Sequence, residues 1–347
     1  MSIAITFIGT SRGIESRVLP REGFPLKTIS STGLLGKRGL NRAASLCKIP
    51  LGVLQAMAFM LKNRPGLVVG VGGYVSGPAG LAAKLLGIPL LLHEQNALPG
   101  VTNRLLGKIA DTVAVSFSES KKFFPAAKVV ETGNMIREEF CREQVEPQAV
   151  SAEPFSILVL GGSQGAHSIN QAMVDALKFL PREKIFVTHQ TGEKDYPAIT
   201  KMYQDAGASA DVRPFIHDMA EQYKNASLII ARSGATTLAE ITAMGKMSIL
   251  IPFPHAAQNH QEKNARVLES EGAAQIILDP DATGETFAQA IEEAMNNPDR
   301  RQKMESNSHR LGKRKATLKV RDLCMELLNR NAGSLSDSKN TNEMSCF

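Results

Sequence analysis

The feature that most constrains this chain is the alternation of short apolar runs with segments of helical periodicity along most of its length. An apolar run, a helix and a second apolar run together predict parallel strands with helices on both faces of the sheet. A chain of 347 residues is longer than one core usually supports, so the pattern predicts two α/β domains. The predicted strands are residues 3–8, 67–70, 89–93, 112–115, 155–160, 185–190, 228–231, 247–251 and 274–278.

Charge and composition narrow the class of partner. The formal net charge of +6 favours an anionic partner such as a nucleotide or a phospholipid. The sequence has no pattern of aromatic and basic residues typical of a nucleic-acid-binding module, so no nucleic acid is expected. Four cysteines without metal or redox spacing indicate a reducing cytoplasm. The apolar segment 2–9 is too short for a signal peptide or a membrane span and is predicted to be a strand.

Glycine-rich or polar turns follow four of the predicted strands, at residues 70–74, 161–166, 232–237 and 255–264. A strand that ends at glycines and opens a helix leaves unpaired N–H groups with a helix dipole behind them, which is an arrangement that binds phosphate. In the second turn Ser163 can donate to a phosphate oxygen, and Gln164 and Gly165 adjoin it. A tight turn with a capping serine is the alternative for any single turn, but three glycine-rich turns in one chain favour phosphate binding.

Two further segments of the second half carry polar groups suited to a nucleoside and a sugar. Arg232 and Gly234 follow a strand, and Glu240 lies in the helix after them, where a carboxylate can accept from two ribose hydroxyls. An exposed helix glutamate is the alternative. The loop at 255–264 contains several amides and imidazoles, among them Gln261 and Asn264, which suit the hydroxyl groups of a sugar.

The first half has its own polar clusters at strand ends. Gly72, Gly73 and Tyr74 follow one strand, while His93 and Glu94 end the next. Ligands bind outside the carboxyl ends of parallel strands, so both clusters are expected to line one crevice. Either His93 or Glu94 could act as a general base, and a structural hydrogen-bonding role is the alternative for each.

A carboxylate pair at residues 279–281 matches a pattern by which some glycosyltransferases hold a divalent metal. It also precedes an amphipathic helix, and a turn with helix capping is the preferred interpretation. No catalytic metal and no cofactor are predicted.

Taken in order, these motifs resemble the MurG glycosyltransferases of bacteria, which belong to glycosyltransferase family 28. The resemblance rests on GVGGYVSGPAGLAA, LLHEQNALPGVTNRLL, GNMIR, LGGSQGA, ARSGATTLAE and HQEKNA, and it extends from residue 9 to about residue 325. It implies the GT-B fold, in which two doubly wound Rossmann-like domains face a central cleft. It also implies inverting, metal-independent transfer of N-acetylglucosamine (GlcNAc) from UDP-GlcNAc to lipid I, which yields lipid II in peptidoglycan synthesis.

The resemblance also assigns site residues by position. Ser163 is expected at the donor diphosphate, Ile216 at the uracil and Glu240 at the ribose. The remaining donor contacts implied are Arg137 near the domain junction, Arg232, Gly234, Gln261 and Asn264. The residues implied to face the acceptor are Gly72, Gly73, Tyr74, Glu94, Asn96 and Asn103.

The domains and the location follow from the same resemblance. Residues 1–135 are expected to form the acceptor domain and 136–325 the donor domain, with the last helix crossing back and a disordered tail at 326–347. The family binds the cytoplasmic face of the inner membrane peripherally, through an apolar patch with basic neighbours. The candidate here is segment 46–59 beside Arg42, Lys48 and Lys62, although an ordinary amphipathic helix is the alternative. Anionic phospholipid and other cell-wall synthesis and division proteins are expected partners.

One departure from the family pattern concerns the N-terminus. The family opens with a strand, a glycine-rich loop that ends in a histidine, and a helix, whereas this sequence starts at the strand that follows them. That histidine is a candidate for deprotonating the acceptor, and the extra strand would be central in the sheet, so its loss would leave an apolar gap. The explanations are a start codon assigned too far downstream, a shortened inactive protein, or a catalyst that uses Glu94 or His93.

Three other functions remain to be compared with the transferase. A UDP-GlcNAc 2-epimerase would share the two-domain fold but would need no lipid acceptor. A non-catalytic protein would bind UDP-GlcNAc without turnover. An NAD-dependent oxidoreductase is disfavoured because the glycines at 70–74 lack the third glycine of its fingerprint.

Overall fold

The computed structural model describes residues 3–11, 13–31, 40–142 and 154–343. The chain divides into two compact units. The first unit comprises the described parts of residues 1–95, 99–132 and 318–347, and the second comprises those of 96–98 and 133–317. The chain enters the second unit briefly at residues 96–98 and again at residue 133, close to residue 135, where the sequence analysis placed the domain boundary.

Six strands of the first unit form two parallel sheets. Strands β1 (Phe7–Gly9) and β2 (Leu26–Thr28) pair with one another, and β3 (Val68–Gly70), β4 (Leu90–Glu94), β5 (Thr112–Val115) and β6 (Val129–Glu131) pair in that order. The helices are α1 (Glu15–Arg21), α2 (Leu40–Asn63), α3 (Gly73–Leu85) and α4 (Val101–Leu106). Strand β4 is buried along its whole length, as expected for a parallel strand that is covered on both faces.

Strands β1 and β3 are not paired with each other in the described residues, so the sheet of this unit is divided. Apolar side chains of both edges are exposed, including Ile5, Phe7 and Val69. The β1–β2 pair is held by side-chain packing of Ile29 against α2 and α3 and by a bond from the Ser30 N–H to Gln55 Oε1 at 2.6 Å.

Three short strands were absent from the prediction: β2, β6 and β9 (Ala210–Arg213). Each strand has only three or four residues, and at least one of them is charged. Such a segment contains no continuous apolar run from which a strand could be predicted. All three lie at the edges of their sheets, where one side of the backbone has no neighbouring strand to bury it.

The prediction of a disordered tail from residue 326 is wrong as far as Glu343, because helix α13 spans Ala316–Glu343. Leu327 is buried, and the Asn331 side-chain amide donates to the Gly66 carbonyl at 3.2 Å. Gly66 lies so close to α13 that a Cβ added at Gly66 would be 2.8 Å from the Leu328 side chain. An established helix extends through polar residues at little cost, since nucleation is the expensive step. Residues 344–347 are outside the described part of the chain.

Six parallel strands of the second unit form one sheet in the order β12–β11–β10–β7–β8–β9. The new strands are β7 (Phe155–Leu160), β8 (Ile185–Gln190), β10 (Leu228–Ala231), β11 (Ser248–Leu250) and β12 (Gln275–Ile276). The order reverses beside β7, which creates a crevice at the carboxyl ends of the strands. The helices are α5 (Glu138–Arg142), α6 (His167–Ala176), α7 (Tyr196–Asp205), α8 (Met219–Asn225), α9 (Ala235–Ala243), α10 (His260–Ser270), α11 (Gly284–Asn296) and α12 (Pro298–Leu311).

Strand β8 carries a buried polar network that apolar patterning does not indicate. His189 is fully buried, and its Nδ1 and Nε2 lie 3.0 Å from Tyr203 Oη and from Asn170 Oδ1. Asn170 in turn donates to the Thr191 carbonyl and to Asp195 Oδ2, both at 3.0 Å. A neutral imidazole satisfies both contacts by accepting at Nδ1 and donating at Nε2. The network therefore fixes α6 and α7 against β8.

The acid stability of the second unit is expected to depend on His189. Burial lowers the pKa of His189 to about 3, from an ordinary value of 6.5. The unfolded chain binds this proton below about pH 6.5 and the folded chain does not, so the unfolding free energy falls as the pH falls toward 3, by at most about 1.4 kcal/mol per pH unit. Urea unfolding at several pH values between 4 and 7 measures this dependence.

The variant His189→Gln provides the comparison, because glutamine forms neutral hydrogen bonds but does not titrate in this range. Its unfolding free energy should depend less steeply on pH than that of the unaltered chain. Equal pH dependence in the two proteins would contradict the assignment.

Candidate functional site

The glycine loop, residues 161–166, connects β7 to α6 and packs backbone against backbone on residues 191–192, which follow β8. Gly162 and Gly165 have positive φ values of 87° and 76°, which L side chains rarely adopt. A Cβ on Gly165 would lie 1.9 Å from the Thr191 carbonyl oxygen, and one on Gly192 would lie 2.3 Å from that of Gln164. Glycine is thus required for the two loops to approach. Ser163 and Gln164 are exposed at the tip.

Ile216 lies in the loop between β9 and α8, and its side chain is fully buried. The Ile216 N–H donates to Gln190 Oε1 at 2.9 Å. Gln190 Nε2 donates in the other direction, to the Gly162 carbonyl, also at 2.9 Å. Ile216 is buried as a whole residue and its N–H is already paired, so its expected contact with the uracil stays a prediction.

Glu240 lies inside α9, and only 8% of its side chain is exposed. Its Oε1 accepts from Nε and Nη2 of Arg137 at 3.2 and 3.1 Å, and its Oε2 lies 3.5 Å from Tyr223 Oη. Burial raises the pKa of Glu240, and Arg137 opposes part of that shift. The Arg137 guanidinium stacks over the Phe140 ring at 4.8 Å. The alternative of an exposed helix glutamate is excluded.

Arg232 is committed to contacts within the protein. Its guanidinium donates to the carbonyls of Ile251 and Pro252, both at 3.2 Å, and to Ser168 Oγ at 3.0 Å, and it forms an ion pair with Asp279. These bonds connect the ends of β10 and β11 to the first turn of α6. These contacts give Arg232 a structural role, and the expectation that it also contacts the nucleotide stays a prediction.

The carboxylate pair at residues 279–281 forms a short 3-10 turn, in agreement with the turn interpretation. In the ranges that the structure describes, no group of three histidine, cysteine or acidic side chains is arranged to hold a metal ion. Gly234 is the N-cap residue of α9 and so lies directly beside the helix that carries Glu240.

The polar loop after β11 adopts an unusual backbone before α10. Gln258 and Asn259 both have positive φ, at 55° and 54°, a conformation that costs free energy for residues other than glycine. Gln261 Oε1 accepts from the Phe253 N–H at 3.0 Å. His255, Gln258 and Asn259 remain exposed.

Asn264 is fully buried on α10. Its Oδ1 accepts from the Ala97 N–H at 2.8 Å, and its Nδ2 donates to Asn96 Oδ1 at 3.1 Å. Two residues that the resemblance implied for different substrates, Asn96 and Asn264, are thus hydrogen-bonded to each other. Both belong to the second unit, as does residue 97.

In the first unit, the turn after β3 exposes Tyr74. Gly72 and Gly73 have φ values of 89° and 77°, and Ser76 Oγ donates to the Gly72 carbonyl at 2.5 Å. A Cβ on Gly72 would lie 3.4 Å from Asn103 Nδ2. Tyr74 is 55% exposed at the start of α3, so its side chain is available to a ligand.

His93 and Glu94, the two general-base candidates, are both buried, with exposures of 0% and 2%. Glu94 Oε2 accepts from Asn103 Nδ2 at 2.9 Å and from the Gly100 N–H at 3.2 Å. His93 Nδ1 lies 3.2 Å from Gln95 Nε2. These contacts order the loop between β4 and α4, so the geometry favours the structural alternative for both residues, and Asn103 is part of the same arrangement.

Helix α2 contains the segment considered for membrane contact. Leu51, Leu54 and Leu61 are 47%, 63% and 60% exposed. The side chains of Arg42 and Lys48 are outside the described residues, whereas Lys62 is exposed. Across the described ranges, none of the helices combines the length and the apolar composition needed to cross a bilayer.

The sequence analysis did not identify Gln190, Tyr223 and Phe140, which pack against or bond to residues of the candidate site. Phe140 and Tyr223 pack edge to face with ring centroids 5.1 Å apart, under the Arg137–Glu240 pair. Gln190 ends β8, whose last three residues are polar, and a polar residue at the carboxyl end of a predicted strand is the sequence signal that could have identified it.

The close approach at Gly165 generates a paired prediction. Gly162→Ala introduces an unfavourable φ but meets no atom within 4 Å, whereas Gly165→Ala has the same strain and also displaces the Thr191 backbone. We expect Gly165→Ala to reduce the unfolding free energy by about 2 kcal/mol more than Gly162→Ala does. Urea unfolding of both variants measures the difference, and equal losses would show that the loops separate without cost.

The ion pair between Arg137 and Glu240 generates a second prediction. Arg137→Ala leaves a buried carboxylate without its cation, so we expect a loss of about 2 kcal/mol in unfolding free energy near pH 7.5 and a further rise in the Glu240 pKa. Glu139→Gln is the matched control, because Glu139 pairs with the same guanidinium at 3.1 Å but is 42% exposed. Its effect should stay below about 0.5 kcal/mol. A similar loss in both variants would contradict the importance of burial.

Comparison with known proteins gives a consistent result. Residues 2–115 and 156–321 match the N-terminal and C-terminal domains of glycosyltransferase family 28. The chain is 44% identical over 326 residues to a protein of Myxococcus xanthus named UDP-N-acetylglucosamine--N-acetylmuramyl-(pentapeptide) pyrophosphoryl-undecaprenol N-acetylglucosamine transferase, with 93% of this chain and 85% of that protein covered. A Geobacter sulfurreducens protein of the same name is 46% identical over 301 residues, with 85% and 82% covered.

Solved structures agree on the fold. The crystal structure of Acinetobacter baumannii MurG superposes with a TM-score of 0.77 at 35% identity and covers 92% of this chain and 90% of that one. A UDP-GlcNAc 2-epimerase from Neisseria meningitidis has a TM-score of 0.59 at 14% identity, with 93% and 90% covered, which is a likeness of fold alone. The predicted GT-B fold is confirmed. The chain belongs to glycosyltransferase family 28.

Proposed function

We propose that this chain is the hexosyltransferase that moves GlcNAc from UDP-GlcNAc to the 4-hydroxyl of the MurNAc sugar in lipid I, forming lipid II for peptidoglycan. The observation that carries the proposal is 44% identity over 93% of the chain to a transferase with that donor and that lipid-linked acceptor in its name. The polar groups at the strand ends of the second unit suit the donor part of the reaction.

The donor is assigned to the second unit by the chemistry of its loops. N–H groups of the glycine loop and the first turn of α6 suit the diphosphate, with Ser163 as an additional donor. The carboxylate of Glu240 suits the ribose hydroxyls, and Arg137 helps to keep it ionised despite its burial. The loop that contains Ile216 is the proposed site for the uracil. Gln261 and the exposed polar side chains beside it suit the sugar.

The reaction is a displacement at the anomeric carbon of GlcNAc. The acceptor oxygen forms the new bond to that carbon, the bond to the donor phosphate oxygen breaks, and UDP leaves with the electron pair while the configuration inverts. Charge therefore develops on the diphosphate, where N–H donors and the α6 dipole stabilise it. A base takes the hydroxyl proton; Glu94 would have to release Asn103 and the Gly100 N–H to act in that role.

Binding of the acceptor implies contact with a lipid surface, since lipid I is anchored in the membrane. We assign this contact to the exposed leucines of α2, with basic residues beside them for anionic phospholipid. The chain would then act as a peripheral protein at the cytoplasmic face of the inner membrane. Association with other proteins of wall synthesis and division belongs to the same proposal.

The deciding experiment measures UDP release from UDP-GlcNAc by the 347-residue chain, with and without a lipid I analogue. Release that depends on the lipid analogue is the expected result. Release of UDP, or formation of UDP-ManNAc, without the analogue would instead indicate an epimerase. Binding of UDP-GlcNAc without turnover under either condition would indicate a non-catalytic UDP-sugar-binding protein.

A further inference from the structure

Gln190 connects two loops that follow different strands. It is the last residue of β8 and is 3% exposed. In the sheet register it lies between Leu160 of β7 and Arg213 of β9. The glycine loop begins directly after Leu160, and the loop that contains Ile216 begins directly after Arg213. Gln190 is therefore at the centre of three neighbouring strand ends.

The Gln190 side chain uses both of its polar atoms. Oε1 accepts from the Ile216 N–H, and Nε2 donates to the Gly162 carbonyl, each at 2.9 Å. A neutral primary amide can form both bonds at once, whereas an apolar side chain forms neither and a carboxylate cannot donate. Ile216 is fully buried, so loss of its bond leaves a buried N–H without that acceptor, whereas Gly162 lies in the exposed part of the glycine loop.

Backbone hydrogen bonds also connect the segments that follow β8 and β9. The Gly192 N–H donates to the Pro214 carbonyl at 3.1 Å, and the Thr191 N–H donates to that of Arg213 at 3.0 Å. These bonds hold the segment after β8 to the segment after β9. The side chain of Gln190 adds the connection across to Gly162, and thus to the loop that ends in the first turn of α6.

We propose that Gln190 is a positioning residue that couples the glycine loop to the Ile216 loop, so that the diphosphate and the nucleoside of the donor are bound as one unit. The inference rests on the proposed function, because it takes the ligand to be a nucleotide sugar. Gln190 itself does not contact the donor. Its effect is on the spacing between main-chain N–H groups of the two loops.

Three variants of the full chain test the proposal. Gln190→Leu removes both hydrogen bonds at similar volume. Gln190→Glu keeps the acceptor and regains the donor only when the introduced carboxyl is protonated, which burial favours. Thr188→Val is the matched control: Thr188 is two residues earlier on the same face of β8 and is 7% exposed. Its hydroxyl bonds at 3.5 Å to Gln222 of α8, which is outside both loops, and not to Gly162 or Ile216.

The measurements are steady-state KM values for UDP-GlcNAc and for a lipid I analogue, together with dissociation constants for UDP and uridine. For Gln190→Leu we expect the UDP-GlcNAc KM and the UDP dissociation constant to rise roughly tenfold to a hundredfold. The uridine dissociation constant and the lipid KM should change by less than about threefold, as should every value for Thr188→Val.

Gln190→Glu adds a pH readout that a purely structural role would not give. Relative to the unaltered chain at each pH, its affinity for UDP should recover toward pH 5.5 and fall toward pH 8.5, as the introduced carboxyl gains and loses the proton that it donates to Gly162. If the ratio of the two UDP affinities, Gln190→Glu to unaltered chain, did not change with pH, the role of the bond to Gly162 would be overturned.

Other outcomes are equally decisive. UDP affinity of Gln190→Leu within about twofold of the unaltered chain would overturn the coupling, as would equal losses in Gln190→Leu and Thr188→Val. If neither Gln190 variant folds while Thr188→Val does, Gln190 is a folding residue and the proposal fails. Failure of the unaltered chain to bind UDP-GlcNAc would instead refute the proposed function, and the inference with it.

Discussion

The arrangement of the candidate site depends on the backbone contact between the glycine loop and residues 191–192. Positive φ at Gly165 and Gly192 lets two turns after neighbouring parallel strands approach until no Cβ would fit between them. In tight turns of this kind, main-chain N–H groups can point away from the protein, where an anion can accept from them. Gln190 bonds to the glycine loop, and Asn170 of α6 bonds to the Thr191 carbonyl. Together these contacts hold both turns in place at the edge of the sheet where a ligand would bind.

Much of the fold could be predicted from the sequence, because the buried strands of a parallel sheet are continuous apolar runs. Strands β5, β7, β8 and β10 have the same bounds as their predictions. Short edge strands could not be predicted, since charged residues interrupt them, and neither could the helical continuation beyond residue 326. In that segment the polar composition resembles that of a disordered tail, and the contacts of Leu328 and Asn331 with Gly66, which is distant in sequence, cannot be read from composition.

The site was predicted less completely than the fold, for a physical reason. Motifs identify which polar residues lie at strand ends, but they do not say whether those residues face a ligand or each other. Arg232, Asn264 and Glu94 lie where expected, yet each bonds to main-chain or side-chain groups of the protein. Ser163 and Tyr74 are exposed, which agrees with direct contact. A buried partner such as Tyr223 is recognisable only from the packing.

The assignment of helix α13 to the first unit has a consequence for how the chain is made. The last residue of the second unit, residue 317, is synthesised before Leu328 and Asn331, which lie against Gly66 of the first unit. Domains usually fold as their sequence emerges. Here the unit that starts first is finished last, because the first unit takes residues from both ends of the chain.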